Sequence, residues 1–561
     1  YIKNGKLSLL EEFDKGRYRS TIKEWLIYFH AYYKHGEYKK NSLYDIICIT
    51  TLFTFYYSET INTINASKCL VKDERNIYVG GIMASVMPDA IKKETNITPH
   101  IGLLNKPGVL DDNNYIIDDL PLDYSILHEI DYPADNAFYA YSTRGCIRKC
   151  SFCAVPILEP QFEKFIPILK NIEEVRKTYG DRPNLLLLDN NVLASRDCFS
   201  KIIEEIKKAG FQKGAVFKMP NYFELYYNNL KKGLNDKAYT KALFYEYLAL
   251  LDKLSNNEKQ IIYELLKNNN LLNIYSASKK ALLELYDAIK PYYELHINNS
   301  KKKRIVDFNQ GIDARLINEE NAQLLSEIAI EPLRLAFDHW SDKTIYANAV
   351  EICARHSIKS MSNYLLYNEN DKPIELYKRL KINISLCEKL KISIYSFPMK
   401  YHPIKGDFSQ NRDFIGKYWN RKYIRAVQTI LNATKGKIGR GKSFFYKAFG
   451  KNEKEFKLLL VMPEPYILYR FFFEYIGYSQ DWLKDYQKLD KTEKYQFLKL
   501  IAENKFSLSI YETLENEKIK KIYSHYLITR SDVINSSTNI GKRKIEYDEK
   551  KNTLKNLPIG V

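Results

Sequence analysis

Long apolar runs are missing from this chain. The richest stretch, Ile46 to Tyr57, is shorter than the roughly 18 to 20 residues a membrane helix needs and carries three threonines. No membrane partner is expected. No charged, apolar and small-residue leader follows Tyr1, which fits a processed or truncated start, and a cytoplasmic protein is the expectation. Cysteine is scarce, eight in 561 residues, which excludes a small disulfide-stapled secreted scaffold and favours a reducing compartment. With 45% apolar and 27% charged residues the chain is not disordered, and its length suits about three to four domains.

Acidic side chains are also in deficit, 68 against 86 basic ones, a net of +18. Lys and Arg release counterions from phosphates, so this excess suggests a nucleic-acid partner. A genome rich in A and T would raise Lys, Asn, Ile and Tyr everywhere, so location has to decide. Between Lys405 and Lys447 there are eleven Lys or Arg and two acids, Asp407 and Asp413, which puts half the excess in under a tenth of the chain. Aromatic residues are interleaved there, as in binders of single-stranded nucleic acid. On a helical wheel Trp419, Tyr423, Val427 and Ile430 form a core face, leaving Arg421, Lys422 and Arg425 as the expected exposed cations.

Five cysteines, Cys48, Cys69, Cys198, Cys353 and Cys387, are isolated and read as small buried hydrophobes. The other three are clustered in Tyr139-Ala-Tyr-Ser-Thr-Arg-Gly145-Cys146-Ile-Arg-Lys-Cys150-Ser-Phe152-Cys153, spaced C-x3-C-x2-C. A tetrahedral zinc would want a fourth Cys or His at comparable spacing, and none follows for forty residues. A cubane [4Fe-4S] cluster with three protein ligands leaves one iron open for a small molecule. Gly145 with small Ser142 and Thr143 is expected to let backbone approach such a bulky group.

This segment, with an aromatic just before its third cysteine, resembles the cluster loop of radical S-adenosylmethionine (SAM) enzymes. The resemblance implies that Cys146, Cys150 and Cys153 ligate a [4Fe-4S] cluster and that SAM chelates the open iron. It also implies reductive cleavage of SAM to methionine and a 5′-deoxyadenosyl radical, with a reductase or flavodoxin-type protein as electron donor.

Downstream, strand and helix patterns alternate, which argues for parallel βα units. Strands are expected at Ala137 to Tyr141, Leu185 to Leu188, Ile305 to Asn309, Leu333 to Phe337, Ser360 to Leu366 and Ser393 to Phe397. Helices are expected at Phe162 to Tyr179, Cys198 to Ala209, Asn318 to Ile328, Ser341 to His356 and Ile374 to Leu390. Residues 137–404, less a helical insertion at 218–303, are short of a full eight-unit barrel of about 250 residues. Six units match a partial (βα)6 TIM-like barrel, the fold the resemblance implies. The insertion reads as a solvated helical excursion, with a lid or docking arm as the alternative.

Residues 1–110 read as a Rossmann-like domain, of which roughly 40–110, with the pattern Tyr78-Val-Gly80-Gly81-Ile-Met-Ala-Ser-Val-Met-Pro88, resemble part of the cobalamin-binding domain of one radical SAM subgroup. That domain's Asp-x-His-x2-Gly signature does not occur, and His30, His35 and His100 lack its spacing, so a relic without cobalamin is the reading. Residues 111–136, a polar stretch with Pro121 and Pro133, read as a linker, and 405–561 as a mainly helical basic domain.

Loops at the carboxyl ends of barrel strands carry active sites. Where the family has a Gly-Gly-Glu-like segment for the SAM ammonium, this chain has Asp189-Asn190-Asn191, so Asp189 or Asn190 is the expected acceptor. Phe152 is carried over beside the cluster. After the third strand come Asn309, Gln310, Asp313 and Arg315, and Arg315 suits the SAM carboxylate because a guanidinium binds it bidentately. Asp338, His339 and Asn363 end or lie in later strands. Cap or loop hydrogen bonding is the alternative for each.

Gly436-Lys-Ile-Gly-Arg-Gly441-Lys442-Ser443 matches G-x4-G-K-S, the phosphate-cradling P-loop, but an amphipathic helix rather than a strand precedes it, so a glycine-rich basic turn is the reading. The expectation is a radical SAM enzyme, conceivably of methyltransferase type, acting on an anionic or nucleic-acid substrate. The alternative is an iron–sulfur nucleic-acid-binding protein that does not cleave SAM.

Overall fold

A computed structural model describes residues 24, 26–31, 44–110, 113–128, 135–297, 300–436, 438–439 and 441–555. His35, Pro133, Lys437 and Arg440, and with them parts of the expected amino-terminal domain, linker and P-loop-like turn, lie outside the described residues. The chain divides into two compact units, the first comprising residues up to 120 with Gly145–Phe162 and His402–Phe414, the second the remainder.

In the first unit, β1 (Ile47–Thr51) and β2 (Ile77–Gly81) pair in parallel, in register from Ile47 opposite Ile77 to Thr51 opposite Gly81. The crossover helix Tyr57–Ser67 and the helices Ile82–Val86 and Pro88–Thr95 share a core with them around Ile64, Val79, Met83 and Ile91. Of the two glycines ending β2 only Gly81 needs to be one: its φ is +99°, and a Cβ there would lie 2.4 Å from the Thr51 carbonyl oxygen.

The second unit contains all six expected strands. β3 (Ala137–Ala140), β4 (Asn184–Leu187) and a later strand at Ile305–Phe308 form one parallel sheet; Leu333–Ala336, Ser360–Tyr367 and Ser393–Lys400 form another. Parallel bridges from Val306 to Ile330 and from Ile312 to Leu335 link them, so the six run in chain order. Between β4 and the third strand a short antiparallel pair, β5 (Val216–Lys218) and β6 (Lys301–Lys303), forms the stem of the insertion. The remaining strands are therefore β7 (Ile305–Phe308), β8 (Leu333–Ala336), β9 (Ser360–Tyr367) and β10 (Ser393–Lys400). Leu185, Leu187, Val306, Phe308, Leu333 and Leu335 are buried in the main core.

The insertion has its own core. Helices Tyr222–Lys232, Asp236–Leu251, Asn256–Asn268 and Lys279–Leu295 bury Leu243, Tyr247, Ile262 and Leu282, with the Phe223 ring stacked 4.4 Å from Tyr293 and 4.8 Å from Tyr286. Its buried tyrosines Tyr239, Tyr247 and Tyr286 are packing residues, so the helical insertion is a folded subdomain.

The helix expected from Phe162 begins at Leu169. Pro167 disfavours helical backbone in the residue before it, Glu163 bridges to Arg144, and the Ile166 N–H donates to Ser142 O at 2.8 Å. Glu205 then caps the helix, accepting from the backbone N–H groups of Ile168 (2.8 Å) and Leu169 (2.9 Å). From Arg421 onward the unit is helical, as expected.

Candidate functional site

The cysteine loop belongs to the first unit and is held by its own return limb. Gly145 has φ +74°, its N–H donates to Glu159 Oε2 at 2.5 Å, and a Cβ on it would lie 2.4 Å from the Gln161 carbonyl oxygen and 3.0 Å from that of Glu159. The backbone that Gly145 admits is thus the loop's own. Within the loop Cys153 N–H donates to Cys150 O (3.1 Å) and Arg148 N–H to Cys146 Sγ (3.3 Å). Cys146, Cys150, Phe152 and Cys153 are half-buried. The one-turn helix Val155–Leu158 follows and packs against Ile82–Val86.

None of the eight cysteines is in a disulfide. Among the described residues no three His, Cys, Asp or Glu side chains come together around a single metal ion. A cubane asks for something else, one thiolate per iron, so its ligands need not converge on one point. Three half-buried thiols on one loop, with a backbone N–H already directed at a sulfur, fit that donor chemistry.

In the second unit Asp189 is 1% exposed and accepts from the Ser142 N–H (3.2 Å), Ser142 Oγ (2.7 Å) and Thr143 Oγ1 (2.6 Å). Burial pushes its carboxyl above the usual range while the two hydroxyls pull it back. Ser142 and Thr143, expected to make room for a cluster, instead bind Asp189 and lock the turn that follows β3. Asn190 is half-buried and Asn191 buried. After β7, Gln310 is exposed, and Arg315 is paired with Asp313, its Nε 2.7 Å from Oδ1. Asn363 is wholly buried and donates to Tyr346 Oη at 2.9 Å.

Two buried arrangements escaped the sequence reading. Arg379 is fully buried; it donates to the carbonyls of Phe337 (2.9 Å), Asp338 (2.5 Å) and Leu366 (2.7 Å) and lies 3.3 Å from Asp371 Oδ2. One guanidinium thereby ties together the carboxyl ends of β8 and β9. Burial pushes the Asp338 carboxyl at that end above its usual range, with His339 and Arg379 pulling it back. The second is Asp307 on β7, which takes a bidentate pair from Arg334 on β8 (2.7 and 2.6 Å). Arg379 shares a helical stripe with Leu376, Leu380 and Asn383, and that polar residue on a buried face was the available signal.

The basic segment requires a correction. Lys422, expected to be exposed, is wholly buried, its Nζ donating to Met462 O at 2.6 Å, and burial pulls its pKa down to about 7. Arg425 is engaged by Glu464, and Arg412, in the first unit, lies over the rings of Phe55 (4.3 Å) and Tyr56 (5.0 Å). Helix Arg421–Ala433 precedes the P-loop-like turn, as read from the sequence, and Ile438 bridges to Ser396 on β10.

No helix among the described residues is long and apolar enough to cross a membrane. No protein-family model matches the chain, and no curated protein does. Among solved structures, the radical S-adenosylmethionine methyltransferase TsrM from Kitasatospora setae, with cobalamin and [4Fe-4S] cluster bound, is similar over 65% of this chain and 65% of that one, at 11% identity and a TM-score of 0.35. The same enzyme with tryptophan substrate and the SAM analogue aza-SAM is similar over 68% and 66%, again at 11% identity and a TM-score of 0.35. The chain thus spans just under two thirds of the length of those structures.

Proposed function

We propose that the protein is a radical SAM enzyme in which Cys146, Cys150 and Cys153 hold a [4Fe-4S] cluster whose open iron takes S-adenosylmethionine. The observation that carries this is the C-x3-C-x2-C loop. It opens at Gly145, five residues after the first of six parallel strands in chain order, and is built on a glycine whose Cβ would strike backbone. Bound there, the cluster would supply the electron that cleaves SAM to methionine and a 5′-deoxyadenosyl radical.

The chain's own contribution is positioning. Arg148 N–H donates to the Cys146 sulfur and so orients that ligand. Asp189 holds the Ser142–Thr143 turn, and Asp189, Asn190 and Gln310 are the polar side chains proposed for SAM. Arg315, proposed for the SAM carboxylate, would have to give up Asp313 to bind it. Phe152 would lie beside the bound cluster. Cobalamin is given no role, since the chain lacks its Asp-x-His-x2-Gly loop. The substrate class is anionic or nucleic acid, met by Lys405–Lys447, and a reductase or flavodoxin-type protein supplies electrons.

Anaerobically reconstituted protein should contain iron and sulfide and release 5′-deoxyadenosine when reduced with SAM, and Cys150→Ala should abolish that release. Zinc in place of iron and sulfide would overturn the proposal. An intact cluster with salt-sensitive RNA binding and no SAM cleavage would select the iron–sulfur nucleic-acid-binding alternative.

A further inference from the structure

The carboxyl-terminal helices of the second unit surround a cavity of about 540 Å³, to which the reading above assigns no task. Small-molecule sites typically measure about 300–1,000 Å³. One wall is polar. Glu464 accepts from Arg425 Nε (3.0 Å) and Nη2 (2.9 Å), from Asn504 Nδ2 (3.0 Å) and from Arg530 Nη2 (3.4 Å). Two guanidinium groups therefore share one carboxylate, leaving an excess of positive charge, and buried Lys422 lies near enough to Glu464 to interact with it electrostatically. Two buried polar atoms of this wall have no hydrogen-bond partner, the donor Arg530 Nε and the acceptor Asn504 Oδ1. A buried donor on a cation that lacks an acceptor is costly until one arrives. The lining also carries the apolar side chains of Phe506, Leu508 and Ile528.

We propose that this cavity binds a small amphiphilic carboxylate, its head taken by Arg530 beside the Arg425–Glu464 pair and its apolar body laid on Phe506, Leu508 and Ile528. An uncharged guest leaves the excess positive charge uncompensated, a cation meets two guanidinium groups, and a wholly hydrophilic anion leaves the apolar side chains wet. The inference is independent of the iron–sulfur chemistry, since it uses no residue of the cysteine loop or the strand ends.

Isothermal titration of the full chain with octanoate, and with octan-1-ol as the uncharged control, tests it. Octanoate should bind saturably at one site and octan-1-ol should not. Arg530→Gln should weaken octanoate by about tenfold or more, the loss of one charge-assisted contact. Leu508→Asp, a change at a side chain 64% exposed and so compatible with folding, should weaken it as well by placing a like charge on the rim. Equal binding of the alcohol, unchanged affinity in both variants, or no saturable heat at millimolar octanoate would overturn the proposal.

Discussion

Gly145 holds a positive φ of +74° with a carbonyl oxygen 2.4 Å from where a Cβ would stand, so Gly145→Ala combines left-handed strain with a clash against backbone. The strain alone costs about 1–2 kcal/mol, and the clash must be relieved by parting the loop from its return limb. Iron and sulfide in the reconstituted variant should fall several-fold while the far-ultraviolet circular dichroism is retained; undiminished iron would show that the loop's closure is not needed for the cluster. Arg379 is the contrasting case, a cation that donates to four carbonyls, that of Glu375 included, and to a carboxylate at once. Arg379→Met removes the donor from all five acceptors, and breaking a buried charge pair from one side costs about 3–5 kcal/mol. Arg379→Lys should recover little, because a single ammonium lacks the fork. Urea unfolding would measure this, and a loss below about 1 kcal/mol would remove Arg379 from the role of tying the strand ends.

The elements were more legible than the side chains that join them. The six strands stand out because each is a short β-rich apolar run bounded by polar turns, and all six occur within a residue or three of their expected bounds. The early start read for the helix at Leu169 came from following apolar spacing through Pro167, where backbone geometry overrides periodicity. Lys422 and Arg379 were missed because long cations are taken as solvent-facing by default, although both lie on stripes with buried residues such as Ala426 and Leu380. Asp189 was found as a polar residue after a strand, but its partners are 47 and 46 residues away and left no local trace. The insertion's junction with the rest of its unit can be tested through pH. His128 meets the rings of Tyr226 (4.8 Å) and Tyr239 (5.6 Å), and burial, with Arg182 and Lys241 adding repulsion and Asp135 opposing it, pulls its pKa down to about 4. The unfolded chain, titrating near 6.5, binds the proton that the folded one refuses, so stability is constant above that pH and falls as pH drops from 6.5 toward 4, by up to roughly 3 kcal/mol. His128→Phe should flatten this acid limb in thermal unfolding; an unchanged slope between pH 6.5 and 4.5 would place the sensitivity elsewhere.

At the scale of the whole molecule the net charge of +18 overstates the cationic surface of the segment that seemed to concentrate it. Of the eleven cations from Lys405 to Lys447, Lys422 is buried, Arg412 lies over two rings, Arg425 is held by Glu464, Lys442 is 3.8 Å from Glu388 and Arg421 is 3.9 Å from Glu503. Lys405, Lys417, Lys435 and Lys447 are exposed, and Lys437 and Arg440 lie outside the described residues. At most about six cations would then neutralise phosphates. For single strands log K falls with log salt at about −0.7 per phosphate contacted, so a single-stranded RNA held by this segment should show a slope near −4, against about −8 if all eleven took part. Replacing Lys405, Lys417, Lys435 and Lys447 together by Gln should bring the slope to about −1.5 and weaken binding at low salt by orders of magnitude. Lys422→Met should leave both slope and affinity unchanged, since a buried ammonium releases no counterion. A slope near −8, or a loss of salt dependence in Lys422→Met, would mean that binding reorganises the helix Arg421–Ala433. Salt-independent behaviour throughout would make the basicity a matter of composition, with no phosphate for these lysines to meet.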